Sequence, residues 1–232
     1  MSSIVAIGGG GFLAEPRNYA LEKYILEQTR KEQPSVLMIA TARGDDAEYI
    51  ARFHAAFGEL GAKTHHLPFF HRTPDLRSVV LSQDAIFIGG GNTKSMLAVW
   101  REWGLPELLQ TAHQSGIVLG GQSAGAICWF EQGVTDSWAD RLRPLDCMGM
   151  LPGSCCPHYD GEIERRPAYH ALIRSGGIAP GYAIEDAVAV HFRDGRLERV
   201  VSKKTGATAY YVTVDAGTVK EDPLEATLLP HA

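Results

Sequence analysis

The sequence is short of cysteine, of net positive charge and of long apolar runs, and each shortage closes off a class of protein. Cysteine occurs four times, as Cys128, Cys147, Cys155 and Cys156. These lack the paired spacing of a zinc site, and the adjacent Cys155-Cys156 is ill suited to a disulfide framework. Reduced and mostly buried thiols are the expectation. Lys and Arg number 22 against 27 Asp and Glu, a net charge of -5, which leaves no basic stripe to track a nucleic-acid backbone. No apolar run approaches a membrane span, and the amino terminus lacks the charged start, apolar middle and small-residue cleavage site of a secretory leader. A soluble, cytoplasmic protein with neither a nucleic-acid nor a membrane partner is expected. No linker, internal repeat or low-complexity tract interrupts the chain, so residues 1–232 read as one α/β domain.

What is present is a set of short apolar runs that end in glycine. Ile4–Ile7 leads into Gly8-Gly9-Gly10-Gly11, and Arg17–Arg30 follows with helical apolar spacing. Val36–Ala40 is a second buried strand, Asp45–Leu60 carries an apolar helical face, and Ala62–Leu67 supplies a third strand. Asp84–Ile88 runs into Gly89-Gly90-Gly91-Asn92-Thr93 ahead of a helix over Lys94–Trp103, and Leu105–Ser115 makes another helix. Strand and helix alternate, which predicts a mostly parallel sheet flanked by helices. Glu131–Pro152 has no clear period and reads as a long irregular connection, followed by a helix from about Gly161 to Ser175. Tyr182–Val190, Leu197–Val201 and Ala207–Val214 alternate as antiparallel strands that finish the sheet; the tail after Asp215 carries no signal.

Two tempting patterns are set aside. The four consecutive glycines lack the ordered spacing of a dinucleotide fingerprint, and no acidic residue closes the second strand. His65, His66 and His71 cluster, but without helical i, i+4 spacing or an interleaved acidic ligand. No metal and no organic cofactor is expected.

The chemistry centres on Gly121-Gln122-Ser123-Ala124-Gly125, which follows the apolar run Ile117–Leu119. A serine between glycines, after a buried strand and before a helix, reads as a nucleophile elbow, because the sharp turn needs residues without bulk. The turn at Gly89–Asn92 closes the neighbouring strand and exposes backbone N–H groups suited to an anion or a developing oxyanion. A serine hydroxyl needs an imidazole to take its proton and a carboxylate to orient that imidazole. His158, after Pro157 in a polar loop, is the base chosen over His170, His191 and His231. Glu185 interrupts an apolar strand, where a carboxylate is costly unless a cation or donor awaits it; Asp136 and Asp160 are its rivals.

Ile88-Gly89-Gly90-Gly91-Asn92-Thr93, Gly121–Ala126 with Asp136-Ser137 beyond it, and Pro157-His158-Tyr159-Asp160 together resemble the peptidase E and cyanophycinase family of serine peptidases. The resemblance implies a fold related to the class I glutamine amidotransferases, with Ser123 as nucleophile, His158 as base and the N–H groups of Gly91 and Ala124 as oxyanion donors. Aspartyl dipeptidases of the family place an Asp after the nucleophile, here Asp136, whereas Glu185 fits relatives that look like Ser-His-Glu enzymes; Glu185 is favoured. The family's dipeptidases cleave after an N-terminal Asp read partly by an Arg beyond the histidine. Arg165 and Arg166 are therefore the substrate-binding candidates, with Asn92 beside the glycine turn. A short peptide substrate and a homodimer are also implied. Two other readings stay open: an α/β-hydrolase esterase using His191 with Asp160 or Asp186, and a silent protein binding a small acidic ligand at Gly89–Asn92.

Overall fold

The computed structural model describes residues 2–15, 17–139 and 141–231. Its first half alternates strand and helix. In order come β1 (Ser3–Ile7), α1 (Ala20–Glu27), β2 (Ser35–Ile39), α2 (Ala47–Glu59), β3 (Lys63–His66), α3 (Leu76–Leu81), β4 (Ala85–Ile88), α4 (Thr93–Glu102), α5 (Leu105–Gln114) and β5 (Val118–Gln122). The second half is mostly strand: α6 (Ala124–Ile127), β6 (Phe130–Thr135), β7 (Arg143–Asp146), β8 (Leu151–Cys156), α7 (Arg165–Arg174), β9 (Gly181–Ile184), β10 (Val188–Arg193), β11 (Arg196–Ser202), β12 (Ala209–Asp215), β13 (Thr218–Leu224) and β14 (Ala226–Leu228).

The strands form two sheets. Eight lie in the order β14-β11-β10-β1-β5-β4-β2-β3 and six in the order β13-β12-β9-β8-β6-β7. From β3 to β1 the larger sheet is parallel, and β10 then joins β1 antiparallel. Every residue of β1, β4 and β5 is buried, as expected where helices cover both faces of a parallel sheet. Alternation assigns the side chains: Ile4, Leu37, Ile86 and Leu119 pack with Met96, Trp100 and Leu109 from α4 and α5. Val5, Val36, Phe87 and Val118 pack with Leu21, Ile25, Phe53 and Phe57 from α1 and α2. Polar N-caps begin three helices, Asp46 accepting from Tyr49 N, Asp75 from Ser78 N and Asn92 from Ser95 N.

The mostly parallel central sheet, its helices and the antiparallel carboxyl-terminal strands match the expected class. Several boundaries differ. Helix α1 spans Ala20–Glu27 rather than Arg17–Arg30, and α7 starts at Arg165 rather than Gly161. Glu131–Pro152 is not an irregular connection: it holds most of β6, all of β7 and the start of β8. These strands hid because β7 is a half-exposed edge containing Pro144, and Gly133 and Gly153 interrupt the apolar alternation. The later strands do not finish one sheet but divide between two, and the tail after Asp215 supplies β13 and β14.

Parallel strands open their loops at the same sheet edge. The carboxyl ends of β1, β4 and β5, adjacent in the larger sheet, therefore bring Gly8–Gly11, Gly89–Asn92 and Ser123 together. The smaller sheet meets this edge through its own parallel pair, β8 and β9. Beyond these strands come His158 and Asp186.

Candidate active site

Ser123 sits at the turn between β5 and α6 with φ 56 and ψ -112. A positive φ is uncommon for a residue with a Cβ and is held only where the surroundings over-determine it. Here they do: Ser123 N donates to Ile7 O at 3.0 Å, while Ser123 O accepts from Ala126 N and Ile127 N at 2.9 and 3.0 Å. Among the described residues no hydrogen bond uses the Ser123 hydroxyl. Gly90 packs against it, so that a Cβ there would lie 3.2 Å from Ser123 Cβ and 3.7 Å from Oγ. Among the described residues no partner accepts from the N–H of Gly91 or of Ala124, the two donors that the family resemblance implies.

His158 also has a positive φ, of 53. Its backbone is pinned by Tyr159 N donating to Ile184 O at 3.1 Å and by Glu162 N donating to His158 O at 3.2 Å. The imidazole Nδ1 lies 2.8 Å from Asp186 Oδ1, with side-chain exposures of 22% for His158 and 36% for Asp186. The hydrogen bond from His158 holds the Asp186 carboxyl below its ordinary range, against the opposing effect of burial. Asp160 Oδ1 accepts from Asp186 N at 2.7 Å and fixes the acid's backbone. Gly9 packs against the pair. A Cβ on Gly9 would collide with both Asp186 Oδ1 and His158 Nδ1, so the end of β1 passes between the two halves of the site with no room for a side chain.

The carboxylate on the ring is thus Asp186 and not Glu185. Glu185 Oε2 accepts from Thr208 N at 2.8 Å and Oε1 from Tyr210 Oη at 3.3 Å. The reason is register. Cys156 pairs with Ala183 across β8 and β9, and extending that ladder would set His158 opposite Glu185. Both chains leave the sheet first, and Asp186 instead bridges to Gly9. Asp136, the alternative acid, is also displaced: it is exposed and lies 3.8 Å from Arg165. Asp186 is the residue that sequence reasoning missed for this role. The only available signal was a second acid next to Glu185 beyond the strand.

Each of the three substrate-binding candidates is already engaged. Asn92 caps α4 through Oδ1 and donates Nδ2 to Ser137 O at 2.8 Å. Arg165 is 3% exposed and donates Nε to Glu162 at 2.6 Å and Nη1 to Val134 O at 3.1 Å. Arg166 donates to Glu221, which also accepts from Tyr159 Oη and pairs with His170 Nε2 at 2.7 Å. His170 is therefore part of a half-buried network. His191 is fully buried, its Nδ1 2.8 Å from Tyr24 Oη, and burial lowers its pKa to about 4. It does not approach Asp160 or Asp186, so the esterase pairing has no geometry behind it.

His66 Nδ1 meets His54 Nε2 at 3.1 Å, and His65 lines the same cavity, whereas His71 is not part of its lining. Among the described residues no group of three or more His, Cys, Asp or Glu is arranged to hold a metal ion. All four cysteines are free, and burial pushes the Cys128 and Cys155 thiols well up, leaving them inert. No helix among the described residues is long and apolar enough to cross a membrane.

Comparison with known proteins finds peptidases by family, by sequence and by fold. A family model described as Peptidase family S51 matches residues 4–200. An uncharacterized peptidase, YgaJ, from Bacillus subtilis (strain 168) is 48% identical over 230 residues, spanning 99% of this chain and 100% of that one. Peptidase E from Haemophilus influenzae is 26% identical over 176 residues, covering 71% of this chain and 76% of its own length. Among solved structures, a peptidase from an acI-B1 Actinobacterium superposes with a TM-score of 0.75 at 18% identity, covering 100% of this chain and 97% of that one.

Proposed function

The chain belongs to peptidase family S51, and on that premise we propose that it is a serine peptidase hydrolysing short peptides through Ser123, His158 and Asp186. One observation carries the reading: the 2.8 Å contact between His158 Nδ1 and Asp186, in a chain whose Ser123 is held at positive φ with an uncommitted hydroxyl. An ionised carboxylate only accepts, so the shared proton belongs to Nδ1. Nε2 then keeps its lone pair, which is the tautomer a general base needs.

The turn at Ser123 acts as a nucleophile elbow. Its hydroxyl attacks the peptide carbonyl while His158 Nε2 takes the proton, and the carbonyl oxygen becomes an oxyanion facing the N–H groups of Gly91 and Ala124. A preorganised donor of this kind is worth about 2.7–4 kcal/mol of transition-state stabilisation. The imidazolium, stabilised by Asp186, passes its proton to the leaving amine as the C–N bond breaks. Water deprotonated by the same nitrogen then attacks the acyl-enzyme and releases Ser123.

The substrate reading is a dipeptide or other short peptide. Arg165 and Arg166, the candidate readers of an acidic first residue, are both already paired with protein carboxylates, which offsets much of the charge that either could offer a substrate. The preference is therefore proposed without either arginine as its reader. A digest of Asp-X, Glu-X and Gly-X dipeptides by wild type and Ser123→Ala tests the reading. Hydrolysis by wild type alone, with a fluorophosphonate adduct mapped to Ser123, supports it. Equal hydrolysis by both proteins sinks it.

A further inference from the structure

Glu22, on α1, is completely buried, and neither carboxylate oxygen has a hydrogen-bond partner. A carboxylate left this way is among the costliest buried groups. A second unpartnered oxygen lies near it: Gln122 Oε1, on the residue immediately before Ser123. Both oxygens border the space beside Gly11. A Cβ on Gly11 would collide with Gln122 Oε1 and lie 3.0 Å from Glu22 Oε1, so the bare glycine is what admits both.

Two such acceptors need a hydrogen between them. Either Glu22 is protonated and donates to Gln122, or the Gln122 amide is turned so that its NH₂ faces Glu22; both join the same two residues. The other end of Gln122 continues the chain. Nε2 is 3.2 Å from Tyr49 Oη, and that oxygen also accepts from Gly90 N at 3.2 Å. Gly90 packs on Ser123 and precedes the donor Gly91. Hydrogen bonds thus join Gln122 through Tyr49 to the glycine turn, and a proton or a turned amide between Glu22 and Gln122 would extend that route to α1.

We propose that Glu22 is a positioning residue for the hydrolytic site, fixing the Gln122 side chain beneath Ser123 and, through Tyr49, the Gly90-Gly91 turn that supplies an oxyanion donor. This rests on the serine-peptidase reading above. Glu22 does not touch substrate in this account.

Burial raises the Glu22 carboxyl to about 7, opposed by its own backbone N–H, by Lys203 and by Phe12 N–H, the two N–H groups lying near the carboxylate without the geometry of a hydrogen bond. Lys203 Nζ is the facing cation, itself donating to Asn18 O at 3.1 Å and 3.7 Å from Glu15. Tyr49, whose ring carries Arg43 at 4.6 Å, faces Glu22 from α2. The folded pKa lies above the ordinary 4.5, so the protonated acid's contribution is complete below about 4.5 and is lost as pH rises to about 7.

The test measures wild type, Glu22→Gln, Glu22→Leu and Tyr49→Phe from pH 5 to 9, with kcat and KM on the best dipeptide and thermal midpoints in parallel. Glu22→Leu is expected to lower kcat by about tenfold or more with KM within about threefold, and the conservative Glu22→Gln to restore kcat to within about threefold. Glu22→Gln should also flatten the fall in midpoint that wild type shows between pH 5 and 7. Unchanged kcat in Glu22→Leu, or equal losses in Leu and Gln, overturns the proposal. Should Glu22→Leu fail to fold, Tyr49→Phe decides, because it removes one oxygen from the same route: a kcat reduced about fivefold supports the proposal and an unchanged kcat overturns it. Wild type without any peptide hydrolysis would instead count against the serine-peptidase reading. In that event the midpoint slope alone judges Glu22, and a slope shared by wild type and Glu22→Gln overturns it.

Discussion

The two halves of the site are held by different kinds of bond. Ser123 and the donors Gly91 and Ala124 come from the larger sheet, where backbone ladders and a hydrogen-bonded turn fix them. His158 and Asp186 lie beyond β8 and β9 of the smaller sheet, where backbone bonds hold the loops but side chains orient the reacting groups: the carboxylate on the ring, Asp160 behind the acid, and the Glu221 network on Tyr159. Backbone hydrogen bonds do not titrate and survive most substitutions. Side-chain ones do titrate, and a single mutation removes them. Outside the buried Glu22–Gln122–Tyr49 group, the serine half should therefore tolerate change around it, while the histidine half should respond to both mutation and pH.

The largest effect belongs to the nucleophile itself. Ser123→Ala should lower kcat/KM by about four orders of magnitude or more while the melting temperature stays near wild type or rises, since Ala removes no hydrogen bond made in the resting site. Steady-state kinetics and calorimetry on the same sample check both. The seam between the halves comes next. Gly9→Ala drives a methyl group into the His158–Asp186 contact, and a displacement of this size is expected to cost about a hundredfold in kcat. An unchanged kcat would mean that the two halves are less tightly keyed than the collision implies.

A smaller effect lies in the outer network. Burial pushes the Glu221 carboxyl up, but hydrogen bonds from Arg166, Tyr159 and His170 outweigh it and hold the group down at about 2. Its folded pKa is depressed, so its contribution is present above the ordinary 4.5 and is lost as pH falls from about 4.5 to about 2. Glu221→Gln should lower the neutral-pH melting temperature, shallow the acid-side decline in that window, and reduce kcat by about two- to fivefold through the loosened Tyr159 beside His158. Denaturation curves at pH 3 and pH 7 check the sign.

The same contrast explains which parts of the molecule could be read in advance. The sharp turn at Ser123 was legible because it lies in a contiguous strand–glycine–helix segment, where local turn chemistry determines geometry, whereas Gly91 and Ala124 were named as donors through the family resemblance alone. His158 was legible through its polar loop after Pro157. The acid was not, because choosing between Glu185 and Asp186 depends on where two parallel strands leave their ladder and on a bridge to Gly9, 177 positions away in the chain. The engagement of Arg166 was hidden for a related reason: its partner Glu221 lies on β13, in a tail whose edge strand contains Pro223 and shows little alternation. Glu22 gave no signal, since an acidic residue in the first turn of a helix usually reads as a favourable charge near the helix dipole.

The central claim is that Asp186, held on His158 Nδ1, orients the base, while its neighbour Glu185 serves the fold. Comparing kcat for Asp186→Asn and Glu185→Gln on one dipeptide tests it most directly. The predicted result is a loss of about a thousandfold or more for Asp186→Asn, from the wrong imidazole tautomer, against a change within about threefold for Glu185→Gln. A large loss for Glu185→Gln with near-normal turnover in Asp186→Asn would contradict the account.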